Sequence, residues 1–310
     1  MHRTMSKLLT MAAALLIQAV VVACVSEFSQ VDLVAADRKA FPAAGPESQE
    51  SSSFSPLRRV ELLVLDAGGS GPVKMGFHID LEPGWHLYWT NPGDAGLAPA
   101  VRWTLPTGFA AGPLLHPVPE KSVEAGLVSY GHSNSVLLLC DITPSPSFQA
   151  AGRWEAAAVL EWMACRESCI VGETAVRAVF PSAAESLRKG RSLIKALAPR
   201  FPRPLSAAGL TAGAGRGEWT GAAWRIEIAL AGRRAGEVTD FFPYPLDDYV
   251  IENAGVSCRN GKVVLPVVPS KGSGSPPPKE VGGIVILDGA GYEVKVPVAP
   301  KARISFPQWR

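Results

Sequence analysis

The segment Glu161-Trp162-Met163-Ala164-Cys165-Arg166-Glu167-Ser168-Cys169-Ile170 holds the residues best suited to chemistry, two thiols separated by three residues. A pair of this kind has three uses. It can pass electrons by thiol–disulfide exchange, in which a thiolate attacks a disulfide sulfur through a mixed intermediate. It can be an inert staple, although a closed loop this small stabilises least. It can also bind Cu(I), which prefers soft ligands, with Met163 beside it and His86 or His132 elsewhere in the chain. On a straight strand the two cysteines would stand ~13 Å apart, at roughly 3.3 Å per residue. A disulfide needs Cα atoms within about 7 Å. If they bond, the chain between them turns, as a hairpin bend or one helical turn. Arg166 would favour a thiolate there and Glu167 would oppose it.

The elements around the pair read as strands. Val73, Met75, Phe77, Ile79 and Leu81 alternate with Lys74, Gly76, His78 and Asp80, the period of a half-buried strand. Strands are also expected at 60–64, 84–89, 101–105, 135–142, 154–163 and 175–180, with Asn91-Pro92-Gly93-Asp94 among the turns. So many short strands argue for a sandwich over residues 57–182. Residues 183–197 form the one good helical segment, with Leu187, Leu193, Ile194 and Leu197 on one side and Pro199 to stop it. Residues 202–217 read as a linker, so that 183–217 joins two β-domains. A second, smaller β-domain spans 218–310, with Trp224, Ile226, Ile228 and Leu230 alternating and Asn260-Gly261 marking a hairpin.

The bulk composition narrows the function classes. Lys plus Arg is 30 and Asp plus Glu is 28, a near balance that leaves no footprint for nucleic acid. His2, Arg3 and Lys7 precede the apolar run 8–22, and the pattern predicts an export signal over residues 1–23. Cys24 directly follows Ala23, as in a bacterial lipobox, and is the candidate lipidation site. Residues 24–56 read as a disordered, Ser-, Ala- and acid-rich tether. The expected location is the periplasm of a Gram-negative-type bacterium, with membrane contact only through a lipid anchor. Disulfides persist in such a compartment. Cys140 lies in an apolar strand and reads as a buried free thiol, and Cys258 sits beside a hairpin.

Aromatic residues supply a candidate wall for the pair. Trp85 and Trp89 share one side of their strand and Tyr88 opposes them. One side is core, and the other is available to shield the cysteines. Trp85, Tyr130, His132 and Trp162 are the candidate wall residues, while His86 and His132 read as surface or hydrogen-bonded groups rather than ligands. Phe241-Phe242-Pro243-Tyr244 is expected to pack between the two β-domains.

Four stretches together resemble one family. They are Gly84-Trp85-His86-Leu87-Tyr88-Trp89-Thr90-Asn91-Pro92-Gly93-Asp94-Ala95-Gly96-Leu97, His116-Pro117-Val118-Pro119, Ser129-Tyr130-Gly131-His132, and Trp162 to Ile170 with its two cysteines. The family is the N-terminal periplasmic domain of the DsbD-like disulfide reductases, especially the ScsB-type branch. The resemblance implies an all-β chain of two immunoglobulin-like sandwiches. It implies that Cys165 and Cys169 shuttle electrons without a cofactor, as a protein-disulfide reductase. In the family, a membrane domain and a thioredoxin-like domain of the same chain feed this module, which reduces periplasmic disulfide-containing partners. The sequence ends at Arg310 with neither domain, so a thioredoxin-like or membrane-embedded donor is expected as a separate protein. The reading competes with a non-catalytic β-sandwich lipoprotein that binds or scaffolds, and with a Cu(I)-binding periplasmic protein.

Overall fold

Two antiparallel sheets built by apolar–polar alternation face each other across the first core. The computed structural model describes residues 54–66, 71–145, 153–182, 184–272 and 275–300. The expected signal peptide, the tether and Cys24 lie outside the described residues, apart from the last three residues of the tether.

The first sheet runs in the order β1 (Leu57–Asp66), β2 (Val73–Leu81), β8 (Ser135–Thr143) and β5 (Ala110–Ala111). The second runs β10 (Cys169–Phe180), β9 (Trp154–Cys165), β3 (His86–Gly93), β7 (Leu127–Ser133) and β6 (Glu120–Glu124), with β4 (Ala100–Thr104) also paired to β9. Between them lie Met75, Phe77 and Ile79 from β2, Val136, Leu138 and Ile142 from β8, and Trp154, Leu160 and Trp162 from β9. Ala156, Ala158 and Ala164 on the same side of β9 let the facing sheet approach closely. Cys140 belongs to this core, as its apolar strand suggests.

The helix α1 (Ala184–Leu197) does more than connect. Leu193, Ile194 and Leu197, with Phe201, cover Leu63, Leu65, Leu137 and Leu139 on the outer side of the first sheet. Gly190 is the contact point, since a side chain there would strike the Val64 carbonyl. Among the described residues, no helix is long and apolar enough to cross a membrane.

The second strand set forms its own sheet and core, with Ile226, Ile228, Phe241, Val263, Leu265 and Val285 buried together. The Asn260-Gly261 turn joins Ser257–Arg259 to Lys262–Pro269, as the dipeptide indicates. Residues 202–217 are incorporated into this sheet. Arg203–Pro204 pairs in parallel with Tyr292 and Glu293, and Gly215–Trp219 is a strand between Ala290–Pro300 and Trp224–Ala231. The Gly/Ala/Pro composition that suggested a linker reflects close packing against neighbouring strands: Gly215 and Gly217 lie against Val298.

The two strand sets meet through aromatic residues. Trp89, Val128 and Tyr130 pack with Phe242 and Ile284 in one buried cluster. Tyr244 lies 5.5 Å from Trp89 and Phe242 5.6 Å from Tyr130, ring centre to ring centre. The expectation for Phe242 and Tyr244 is met, whereas Phe241 turns the other way into the second core. Among the described residues the chain is mostly β-sheet, an all-β immunoglobulin-like architecture with a single α-helix.

Candidate functional site

Antiparallel pairing, carried to the last residue of each strand, brings the two cysteines together. β9 continues to Cys165 and β10 begins at Cys169, so that the two residues are partners across the hairpin. The three residues between them make the bend, with Arg166 N–H donating to the Ser168 carbonyl at 3.2 Å. Cys165 and Cys169 are disulfide-bonded with Cα atoms 4.2 Å apart. Of the two turns that the spacing allows, the hairpin is the one formed.

Register also fixes which way the sulfurs point. His86 is paired with Cys165, and Leu87 with both Ala164 and His132. Directly paired residues share a side of a sheet and neighbours alternate. Cys165, His86 and Tyr88 therefore project to the outer side of the second sheet, while Ala164, Leu87 and His132 project into the core. The two residues differ in access: Cys165 is 4% exposed and Cys169 is exposed.

Tyr88 is the side chain that touches both sulfurs. Its hydroxyl donates to Cys165 Sγ at 3.2 Å and lies 3.9 Å from Cys169 Sγ. Burial pushes the Tyr88 phenol up, helped by the negative charge of Glu124, so the group stays protonated and able to donate. His86 stands edge-on to the Tyr88 ring with centres 5.2 Å apart. Burial holds the His86 imidazole below its ordinary range, against the opposing pull of Glu124 and Glu120. The backbone of Gly96 covers the hydroxyl end of the Tyr88 ring. Its φ of +106° and the absence of a side chain are both required, because a Cβ there would enter the ring.

The expected wall residues divide. Trp85 and Trp162 lie in the core beneath the hairpin. The Arg166 guanidinium sits over Trp85 at 5.7 Å, and Trp162 packs where Gly172 has no side chain and donates to Thr174 Oγ1 at 2.9 Å. Tyr130 and His132 do not wall the pair. Both are fully buried on the inner side of β7, Tyr130 against Phe242 and His132 beside His116. Burial holds His116 down at about 4 and pushes His132 well below its ordinary value, so both rings are neutral at pH 7. His132 is also on the wrong side of the sheet to join Cys165 as a metal ligand. Met163 and His86 share the side of the cysteines. Sequence reasoning placed Tyr88 opposite the tryptophans but did not assign it to the sulfurs, because that contact depends on the pairing of β3 with β9.

The remaining described cysteines are free. Cys140 and Cys258 are buried in separate cores, so they do not bond to each other. Burial pushes each thiol up to about 11, which leaves almost no thiolate at neutral pH.

Residues 56–181 match the family model of the N-terminal domain of the thiol:disulfide interchange protein DsbD. The matched segment contains both sheets of the sandwich and the cysteine hairpin, and it bears out the resemblance read from the sequence. Among solved structures, the N-terminal periplasmic domain of ScsB from Proteus mirabilis aligns with a TM-score of 0.56 at 18% identity. The alignment covers 75% of this chain and 90% of that one, and it extends the likeness of fold to the second strand set. The periplasmic chaperone SfaE aligns over 78% of this chain and all of that one at 9% identity, with a TM-score of 0.21 that carries no argument. No curated protein matches the chain.

Proposed function

We propose that this chain is an exported thiol–disulfide exchange module whose reactive pair is Cys165 and Cys169. The single observation that carries the reading is the asymmetry of the pair: an exposed residue, Cys169, bonded to a buried one, Cys165, whose sulfur already accepts a hydrogen bond from Tyr88. A partner's thiolate reaches only Cys169 Sγ. As the new sulfur–sulfur bond forms there, the Cys165–Cys169 bond breaks and Cys165 leaves as a thiolate, which the Tyr88 hydroxyl stabilises. A second thiolate of that donor attacks its own sulfur in the mixed disulfide, releases Cys169 and departs as an oxidised donor. In the return half, the Cys169 thiolate attacks an acceptor disulfide and expels one acceptor thiolate. Cys165 then displaces the acceptor from Cys169 and restores the hairpin bond. Two electrons pass from donor to acceptor, and the released acceptor thiolates take protons from water.

A thioredoxin-like or membrane-embedded protein is the proposed donor, and a periplasmic protein with an accessible disulfide the acceptor. The family match supports this class of chemistry, and the ScsB domain of similar fold is periplasmic by its description. We place the sandwich at 57–182 and the second β-domain from Arg203 onward, since residues 203–217 pair into its sheet, with export by residues 1–23 and lipid attachment at Cys24. Equilibrating the full chain with a glutathione or thioredoxin redox buffer tests the function. A reduction potential above about −300 mV, with exchange onto thioredoxin, is the expected result; a value well below it marks a structural bond and defeats the reading.

A further inference from the structure

The chain of contacts that ends on the Cys165 sulfur begins in the second strand set. Asn91, 6% exposed, donates through Nδ2 to the Pro243 carbonyl at 2.9 Å, and its Oδ1 accepts from Gly93 N–H at 3.0 Å. Asp94 is held three ways. Its N–H donates to the Val128 carbonyl at 2.8 Å, its Oδ2 accepts from Val128 N–H at 2.7 Å, and its Oδ1 accepts from Asn253 Nδ2 at 2.9 Å. Asn253 is 3% exposed, so this amide–carboxylate bond is made by a donor with little access to water. Two residues beyond Asp94, the backbone of Gly96 lies on the Tyr88 ring whose hydroxyl reaches Cys165. Pro243 and Asn253 belong to the second strand set and Tyr88 to the first, so segment 91–97 is fastened from one set while it covers the other.

We propose that Asn253, through Asp94, is a positioning residue that holds segment 91–97, and with it the Tyr88 hydroxyl, against the Cys165 sulfur, so that the second β-domain sets how readily Cys165 leaves as a thiolate. The proposal deepens the exchange reading and rests on it. Loss of the Asn253–Asp94 bond frees the segment to lift and Tyr88 to turn away, which leaves the departing Cys165 thiolate without its donor. The cost of lifting falls by one hydrogen bond that includes a charged partner.

The test is the rate at which tris(2-carboxyethyl)phosphine, a small reductant, opens the Cys165–Cys169 bond in the full chain at pH 7, well below its unfolding temperature. Asn253→Ala is expected to lower that rate about fivefold, the effect of a charged-partner hydrogen bond half-developed on the leaving Cys165 sulfur. Asp94→Ser, a change at an exposed loop position, gives a second route if Asn253→Ala does not fold. Adding Asn253→Ala to Tyr88→Phe is expected to slow the rate no further than Tyr88→Phe alone, because both act through the same hydroxyl; additive slowing overturns the proposal. A purely structural role for Asn253 lowers the melting temperature but leaves the rate below melting equal to that of the parent. Rates within twofold of the parent for both single variants overturn the proposal. Failure of the exchange reading is a separate result, a parent potential well below about −300 mV, which leaves the rate comparison readable.

Discussion

Replacing Tyr88 by Phe removes one oxygen atom and keeps the ring that Gly96 and His86 contact, so the effect on exchange can be worked out from a single hydrogen bond. The bond runs from the Tyr88 hydroxyl to Cys165 Sγ at 3.2 Å, and Tyr88 is 4% exposed, so solvent hardly screens it. A hydrogen bond to a charged group is worth about 1.5–3 kcal/mol. When a thiolate attacks Cys169, the departing Cys165 sulfur carries roughly half of its final charge. Half of about 2 kcal/mol is about 1 kcal/mol, which slows the attack about fivefold. In the reduced protein with a full thiolate at Cys165, the whole of about 2 kcal/mol applies, which lowers the reduction potential by about 40 mV at ~30 mV per 1.4 kcal/mol. Stopped-flow reduction by dithiothreitol gives the rate, and equilibration against a thioredoxin buffer gives the potential. An unchanged rate and potential in a variant that melts like the parent would refute the role given to Tyr88. Faster reduction would refute it too, since it would mean that the hydroxyl blocks access more than it helps the sulfur to leave.

Other outcomes follow from the same geometry. Cys165→Ser, which keeps the exposed Cys169, should accumulate a mixed disulfide with a thioredoxin-like partner on non-reducing gels. Cys169→Ser, which keeps only the buried Cys165, should trap at least tenfold less. Gly172→Ala pushes a methyl group into the Trp162 ring and should cost about 1–3 kcal/mol in urea denaturation. Stability should also fall in mild acid. His116 titrates at about 4 in the folded chain and near 6.5 unfolded, so between these values the unfolded chain binds more protons. The stability this ring contributes is complete above about pH 6.5 and is lost as the pH falls toward 4. The loss is about 2 kcal/mol by pH 5, and the shift at His132 acts in the same direction. Urea midpoints at pH 7 and pH 5 measure the fall, and His116→Phe should shrink it.

The parts of this architecture that depend on local pattern were readable from the residues. Alternation across Val73–Leu81 marked its strand, and the cross-link geometry required a bend between Cys165 and Cys169. The apolar side of the helix was visible in Leu193, Ile194 and Leu197, though what that side covers was not. Pairing between distant segments was hidden. Tyr88 meets Cys165 across 77 residues of sequence, and only the β3–β9 register, which His86 and Leu87 establish, brings them together. For the same reason Tyr130 and His132 were placed beside the cysteines when their strand turns them inward. The strands within 202–217 escaped notice because Gly and Ala, small enough for tight packing, have the composition of a linker as well.

The hairpin that carries the pair is anchored by its own ladder, in which β9 and β10 pair from Cys165 and Cys169 to Trp154 and Phe180. Opening the bond asks only for rotation about side-chain torsions, and the backbone on either side can stay where it is. On the proposed function, the empty and the charged carrier offer visiting proteins nearly the same outline, so that neither form would be rejected by shape and traffic would run in whichever direction the relative abundance of spent and fresh partners dictates.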